Sequence, residues 1–437
     1  MKFEILKRSH LKRNIIVGIA TVSIIGACIL TFTRAKYRTT ESIPLVNGTI
    51  NYTPYDFKVI AMYQENNNGE YSEIEEMPSS GYIINEKKSY CTLDNVNKET
   101  NITLKTIDGY HTFSGLQKNS KCYLYFDEQK ILLTSTIMEG KEIKTRNLPL
   151  MRSSKVEGDT TGTIYKSKDN DGDTYYFAGA PTDNWVKFAG FYWRIIRING
   201  DGSIRMIYNG TSTNVTGIGT QFQESAFNTD YNRSEHVGYM YTINQQHGNT
   251  TDSSIKDVLD SWYSSNLASY ADKISTEAGF CGDREMASGY SWSSEPSSTI
   301  YYAGYGRLVQ NSSSVNPTFK CSNSNDLYTT SSSSKGNKAL VNPIGLITAD
   351  EVVMAGLPIT GTGISATSNY IYAENDYWTM TPCYYASGAA PFYVHSNGVL
   401  STYNAVSTAF GVRPVINLSA DVIIKSGNGT SSTPYEI

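Results

Sequence analysis

The spacing of apolar positions changes along the chain, and each change marks a different kind of structure. An uncharged apolar run from Ile15 to Phe32 follows Lys2, Lys7, Arg8, Lys12 and Arg13 and precedes Arg34, Lys36 and Arg38. At a helical rise of about 1.5 Å per residue its length covers roughly 27 Å, enough to cross a bilayer core. After residue 38 the apolar stretches become short. Phe57 to Tyr63, Gly81 to Ile84, Ile102 to Thr106, Cys122 to Phe126 and Lys130 to Thr134 read as strands between Asn, Gly, Pro and Ser turns. That rhythm predicts an all-β module, an Ig-like sandwich, over residues 39–150.

From residue 151 strand and helix signals mix. Thr174 to Phe177 and Trp185 to Ile198 are strand-like, and Asn199-Gly200-Asp201-Gly202 turns the chain back through Ser203 to Tyr208. The sequence predicts a hairpin, Trp193 to Ile198 against Ile204 to Ile207. Ile255, Val258, Leu259 and Trp262 recur at helical spacing behind Asp252-Ser253-Ser254, which offers a cap. A second helical stretch covers Asn266 to Ile274, and Gly282 to Asn337 is irregular. Thr348 and Glu351 form a capping box that opens a short helix through Ala355. Near the end, Phe392 to His395 and Val399 to Tyr403 flank Ser396-Asn397-Gly398, a hairpin signal because Asn and Gly tolerate positive φ. Residues 426–437 read as a polar tail.

Several segments resemble a C-type-lectin-like domain, the likeness covering roughly residues 155 to 425. They are Phe188 to Ile195, Pro343 to Glu351, Tyr377-Trp378-Thr379-Met380-Thr381-Pro382 and Arg413-Pro414-Val415. The chain is similar to Gram-positive, gut-type bacterial surface proteins. More distantly it resembles the variable proteins of diversity-generating retroelements and the formylglycine-generating enzyme fold. The resemblance implies an α+β fold used for display, with its ligand face in the terminal hairpin region. The expected layout is a cytoplasmic tail and signal anchor over 1–38, a β-sandwich stalk over 39–150, the C-type-lectin-like domain over 151–425, and the tail.

Charge fixes the expected side of the membrane. The heavier positive flank lies on the amino side of the apolar run, which leaves the bulk of the chain outside a plasma membrane that it enters through residues 15–32. A lipoprotein signal ending at Cys28, or a cleaved signal peptide, are the alternatives. The whole chain carries 37 Lys and Arg against 41 Asp and Glu. Removing the eight basic and one acidic side chains of residues 1–38 leaves 29 against 40, a formal charge of −11. Such a surface repels phosphate backbones, so nucleic acid is not an expected partner. Outside the cell the natural disulfide pairings are Cys91–Cys122 and Cys281–Cys321, with Cys383 left over; free, partly buried thiols are the alternative.

Candidate chemistry narrows to recognition. Neither His-Glu-x-x-His nor Gly-x-Ser-x-Gly occurs, and the five histidines lack metal-ligand spacing. Cys383 is solitary where the formylglycine-generating enzymes carry paired cysteines, so no catalysis and no cofactor are expected. Asp169-Asn170-Asp171-Gly172-Asp173 fits a solvated turn or a calcium loop, and lacks the far bidentate Glu of an EF-hand. The sugar-chelating triplets of calcium-dependent lectins are missing, Glu295-Pro296-Ser297 coming nearest. The 33 tyrosines, interleaved with Ser, Gly and Asn, give a paratope-like composition. The expected ligand face is Tyr384, Tyr385, Tyr393, His395, Asn397, Tyr403 and Asn404, with strand alternation sending some of them into the core. Trp193, Trp378 and Arg413 are expected to be structural, a buried Arg needing carbonyl or carboxylate partners. The expected ligand is a glycan or a protein, and a ligandless structural surface protein is the rival reading.

Overall fold

The computed structural model describes residues 57–66, 69–78, 81–93, 97–107, 110–402 and 405–437; the apolar run 15–32, Tyr403 and Asn404 lie outside the described residues. Among the described residues no helix is long and apolar enough to cross a membrane. The chain is β-rich with few helices, and it forms two compact units that divide between Lys130 and Ile131.

In the first unit Phe57–Glu65 and Ser120–Glu128 run parallel at the centre of a five-stranded sheet, with a register shift between Val59 and Ala61. Tyr71–Ile74, Tyr82–Ile84 and Tyr90–Thr92 complete it. Strand alternation explains the core: Ser120, Cys122, Leu124 and Phe126 are buried while the residues between them are not. A separate hairpin, Thr103–Ile107 with Tyr110–Ser114, adds Leu104 and Phe113 to the same cluster. The Cys91–Cys122 disulfide joins directly paired strand residues at the centre of this cluster.

The second unit contains two larger sheets. One orders Val415–Leu418, Ile204–Tyr208, Phe191–Ile198, Asp173–Tyr176, Thr163–Lys168 and Glu142–Thr145, with Trp185–Phe188 also paired to Phe191–Ile198. The other orders Gln223–Ala226, Ala409–Val412, Tyr377–Ala386, Ala389–His395 and Val399–Ser401, with Thr299–Tyr301 added along Tyr377–Ala386. A single apolar core draws on both sheets and on the helix Ser254–Asn266, which contributes Ile255, Leu259 and Tyr263.

Local signals and structure agree at several points. The hairpin at 193–208 forms with a register shift between Ile195 and Arg197. Ser253 sits at the N-cap of Ser254–Asn266, although its side chain makes no capping bond. Both halves of the capping box are present at Thr348 and Glu351. The terminal hairpin pairs His395 with Val399, so its loop has three residues. Gly398 takes a φ of +79° while Asn397 does not enter the positive region, so the geometry is that of the three-residue loop closed by a glycine.

Other segments differ from the sequence reading. Lys130 to Thr134, expected as a strand, leads instead into the helix Leu133–Met138, whose Leu133 and Ile137 share one buried face. A three-residue apolar run fits either period, and here the i, i+4 pair decides. This helix and Glu142–Thr145 belong to the second unit, ahead of the change of texture at residue 151. The polar tail ends in Tyr435–Glu436, which pairs parallel with Val186 and Lys187 and buries Tyr435. Among the described residues the disulfides are Cys91–Cys122 and Cys281–Cys321, and Cys383 is a buried free thiol.

Candidate functional site

Beneath the irregular region lies a charged interior. Glu351 accepts from Arg197 at 3.1 Å and lies 2.6 Å from Arg205 Nε, while Arg197 also reaches Asp169 at 2.8 Å. Arg307 bridges Asp283 and Asp350 at 2.5 and 2.8 Å. These groups line a cavity of about 60 Å³ together with the Cys281–Cys321 bridge. Its size admits a few water-sized molecules and is well below the roughly 300 Å³ at which small-molecule sites begin. Burial raises the Asp283 carboxyl above its ordinary range despite Arg307. Burial also acts on Glu351, but Arg205 and Arg197 outweigh it and hold that carboxyl low. The carboxylates are already engaged by arginines and amides, which suits holding the loops in place.

The Asp169 to Asp173 segment is a turn. Asp169 Oδ1 accepts the amides of Asp171 and Gly172, and Oδ2 accepts from Arg197 and the amide of Gly200. Four donors occupy the oxygens that a calcium ion would need. Among the described residues no group of three or more His, Cys, Asp or Glu side chains has metal-holding geometry.

A different surface gathers tyrosines. Tyr301 and Tyr384 are directly paired across antiparallel strands, with ring centroids 6.2 Å apart. Alternation along Thr299–Tyr301 buries Ile300 and turns Tyr301 outward. Tyr305, in the helix Ala303–Leu308, lies 4.2 Å from Tyr301, and Tyr290 lies 4.7 Å from it. The Ala287 amide donates to Tyr301 O and the Tyr290 amide to Ala287 O, which fixes the loop that carries Tyr290. Tyr290 is 38% exposed, and Tyr301, Tyr305 and Tyr384 are half-buried. After the helix, Gln310, Asn311 and Ser312 line a shallow groove with Gly306. The result is an aromatic surface with a polar edge.

The residues expected at the ligand face separate. Tyr384 belongs to the tyrosine surface. Tyr385 is 1% exposed, and its hydroxyl lies within hydrogen-bond reach of the carbonyls of Asn232 and Pro296. Tyr393 is 4% exposed and packs on Phe410 and Trp378 at 4.8 and 6.3 Å. His395 is half-buried, its Nδ1 accepting from the amide of Asn397, which is exposed in the hairpin loop. Tyr384 pairs with Ala390, five positions before His395. At about 3.4 Å per residue that places roughly 17 Å between them, so the structure does not bring Tyr384 together with His395 and Asn397.

Arg413 and the two tryptophans serve the frame. Arg413 is fully buried and donates to the carbonyls of Tyr208 and Ile371 and to Asn209 Oδ1 at 3.2, 2.7 and 2.9 Å. Trp193 and Trp378 are fully buried, their indole N–H groups donating to Phe188 O and Ser225 O.

Sequence reasoning missed Tyr290, Tyr301 and Tyr305. The available signal was Ile300-Tyr301-Tyr302, where alternation leaves one tyrosine outward, followed by Tyr305 one helical turn on. No protein-family model matches this chain, and neither a curated protein nor a solved structure does.

Proposed function

We propose that this chain is a cell-surface ligand-binding protein whose second unit, a C-type-lectin-like domain, recognises a glycan on the surface formed by Tyr290, Tyr301, Tyr305 and Tyr384. Residues 15–32 would anchor it with the acidic bulk outside. The observation that carries the reading is the convergence of four tyrosine rings from three chain segments on one face. Stiff, amphipathic rings give contact area at low entropic cost, and the amide and hydroxyl groups at the edge orient a polyhydroxylated ligand. Other tyrosines do interior work: Tyr239, Tyr302, Tyr328 and Tyr377 are buried, each donating to a backbone carbonyl.

Recognition here is binding without catalysis. A glycan array probed with the whole chain tests the reading. Retention of specific saccharides that is lost on Tyr301→Ala supports it; retention unaffected by that change removes the tyrosine surface from the account. Capture of a protein ligand instead would keep the surface and change its partner.

A further inference from the structure

Lys141 and Asp183 form a buried pair of unusual composition. Their side chains are 6% and 10% exposed, and Lys141 Nζ directly contacts Asp183 Oδ2. The same Oδ2 accepts the Gly162 amide at 2.8 Å. Asp183 Oδ1 is buried and has no hydrogen-bond partner. On the other side the Phe177 ring lies 5.7 Å from Nζ. The backbone around Asp183 is pinned: Asn184 is held by Arg194 and Ile195 O, and the Trp185 amide donates to Gly429 O. Lys256, a second deeply buried lysine in an ion pair among the described residues, differs because two carboxylates share its ammonium and both are more exposed.

An ammonium has three donors and a carboxylate accepts at both oxygens, so a buried pair lacking partners at these positions is costly as two charges. Condensation removes both charges at once. We propose that Lys141 and Asp183 join in an intramolecular isopeptide bond. The Nζ–Cγ bond forms and the Cγ–Oδ1 bond breaks. Two of the three ammonium hydrogens leave with Oδ1 as water, and the third remains on the new amide. The assignment of atoms follows the contacts. Oδ2, held by the Gly162 amide, stays as the carbonyl oxygen, and the unpartnered Oδ1 is the oxygen that departs. No oxidant, reductant or co-reactant is needed.

The bond closes a loop between positions 42 residues apart. It ties the start of Glu142–Thr145 to the turn before Trp185–Phe188, on either side of three strands of the larger sheet. Tension entering the second unit from its amino-terminal side reaches this tie before those strands. A covalent clamp there protects the sheet from unzipping and stands independently of any ligand.

Mass spectrometry of the purified full chain, reduced and denatured, tests the proposal. The intact mass is expected to fall one water below the value from sequence. Trypsin is expected to skip Lys141 and release a branched species, residues 131–144 joined to residues 169–187. Lys141→Arg keeps a cation beside Asp183 but cannot form this amide, so the branched species disappears. A full sequence mass with two linear peptides overturns the proposal and leaves an ion pair. Water loss confined to the Asp183 peptide, the mark of a cyclic imide, also overturns it.

Discussion

Tyr301 and Tyr384 face each other across directly paired antiparallel strands, and their ring centroids lie 6.2 Å apart. Cross-strand aromatic pairs of this kind are set by register, so the pair is as rigid as the sheet that carries it. Tyr290 and Tyr305 then build outward from Tyr301. A rigid nucleus with rings added from a loop and a helix is a surface organised before a ligand arrives.

The frame behind that surface depends on Arg413. Its guanidinium satisfies two buried carbonyls and Asn209, and stands over the Tyr377 ring. Arg413→Met should lower the stability of the second unit by about 3 kcal/mol or more, because the orphaned acceptors stay buried. Denaturant unfolding followed by tryptophan fluorescence measures this; a loss under about 1 kcal/mol contradicts it.

Glu351 and Asp283 should respond to acid in opposite senses. The folded Glu351 carboxyl titrates below its unfolded value of about 4.3. Its contribution is therefore complete above that pH and fades as pH falls through the folded value. Asp283 titrates above its unfolded value of about 3.9, so its contribution is present below that pH and is lost as pH rises through the folded value. Glu351→Gln takes from buried Arg205 the carboxylate that faces it and leaves Arg197 with Asp169 alone, which should cost about 3–5 kcal/mol at neutral pH. Asp283→Asn should cost about 1 kcal/mol or less, since Arg307 keeps both contacts to Asp350. Stability measured from pH 3 to 7 should show a shallower acid decline for Glu351→Gln and a steeper one for Asp283→Asn.

The Cys281–Cys321 bridge spans a sequence separation of 40, and the segment between its cysteines carries Tyr290 on a loop and Tyr301 on a strand. Replacing both cysteines with Ala should destabilise the second unit by about 3–4 kcal/mol on the chain-entropy estimate. Limited proteolysis should then cut first between residues 282 and 298. Unchanged cleavage sites would show that the Arg307 ion pairs and the buried pair of Arg284 with Asp326, 2.8 Å apart, hold the region without the bridge.

Short-range features were legible because a few neighbouring residues decide them. The capping box at Thr348 and Glu351 and the turn at Ser396-Asn397-Gly398 are of this kind, as is the helix spacing of Ile255, Leu259 and Trp262. Pairings made at a distance were not. Nothing local in Phe57–Glu65 announces a parallel partner in Ser120–Glu128, and the buried face of Leu133 and Ile137 shows itself only against the core they enter. The tyrosine surface failed to appear for the same reason. Tyr384 came from the expected segment, but its neighbours come from a strand, a helix and a loop far back in the chain. Composition pointed to tyrosines without saying which face outward, and Tyr385 and Tyr393 turn inward to serve packing.

Binding of the whole chain to a retained saccharide, compared with Tyr301→Ala, Tyr384→Ala and the hairpin change Asn397→Ala, tests the tyrosine surface most directly. Isothermal titration should show at least a tenfold loss of affinity for each tyrosine variant and little change for Asn397→Ala, with circular dichroism unaltered in all three. Equal affinity for the wild-type chain and both tyrosine variants, or a loss confined to Asn397→Ala, would contradict the account.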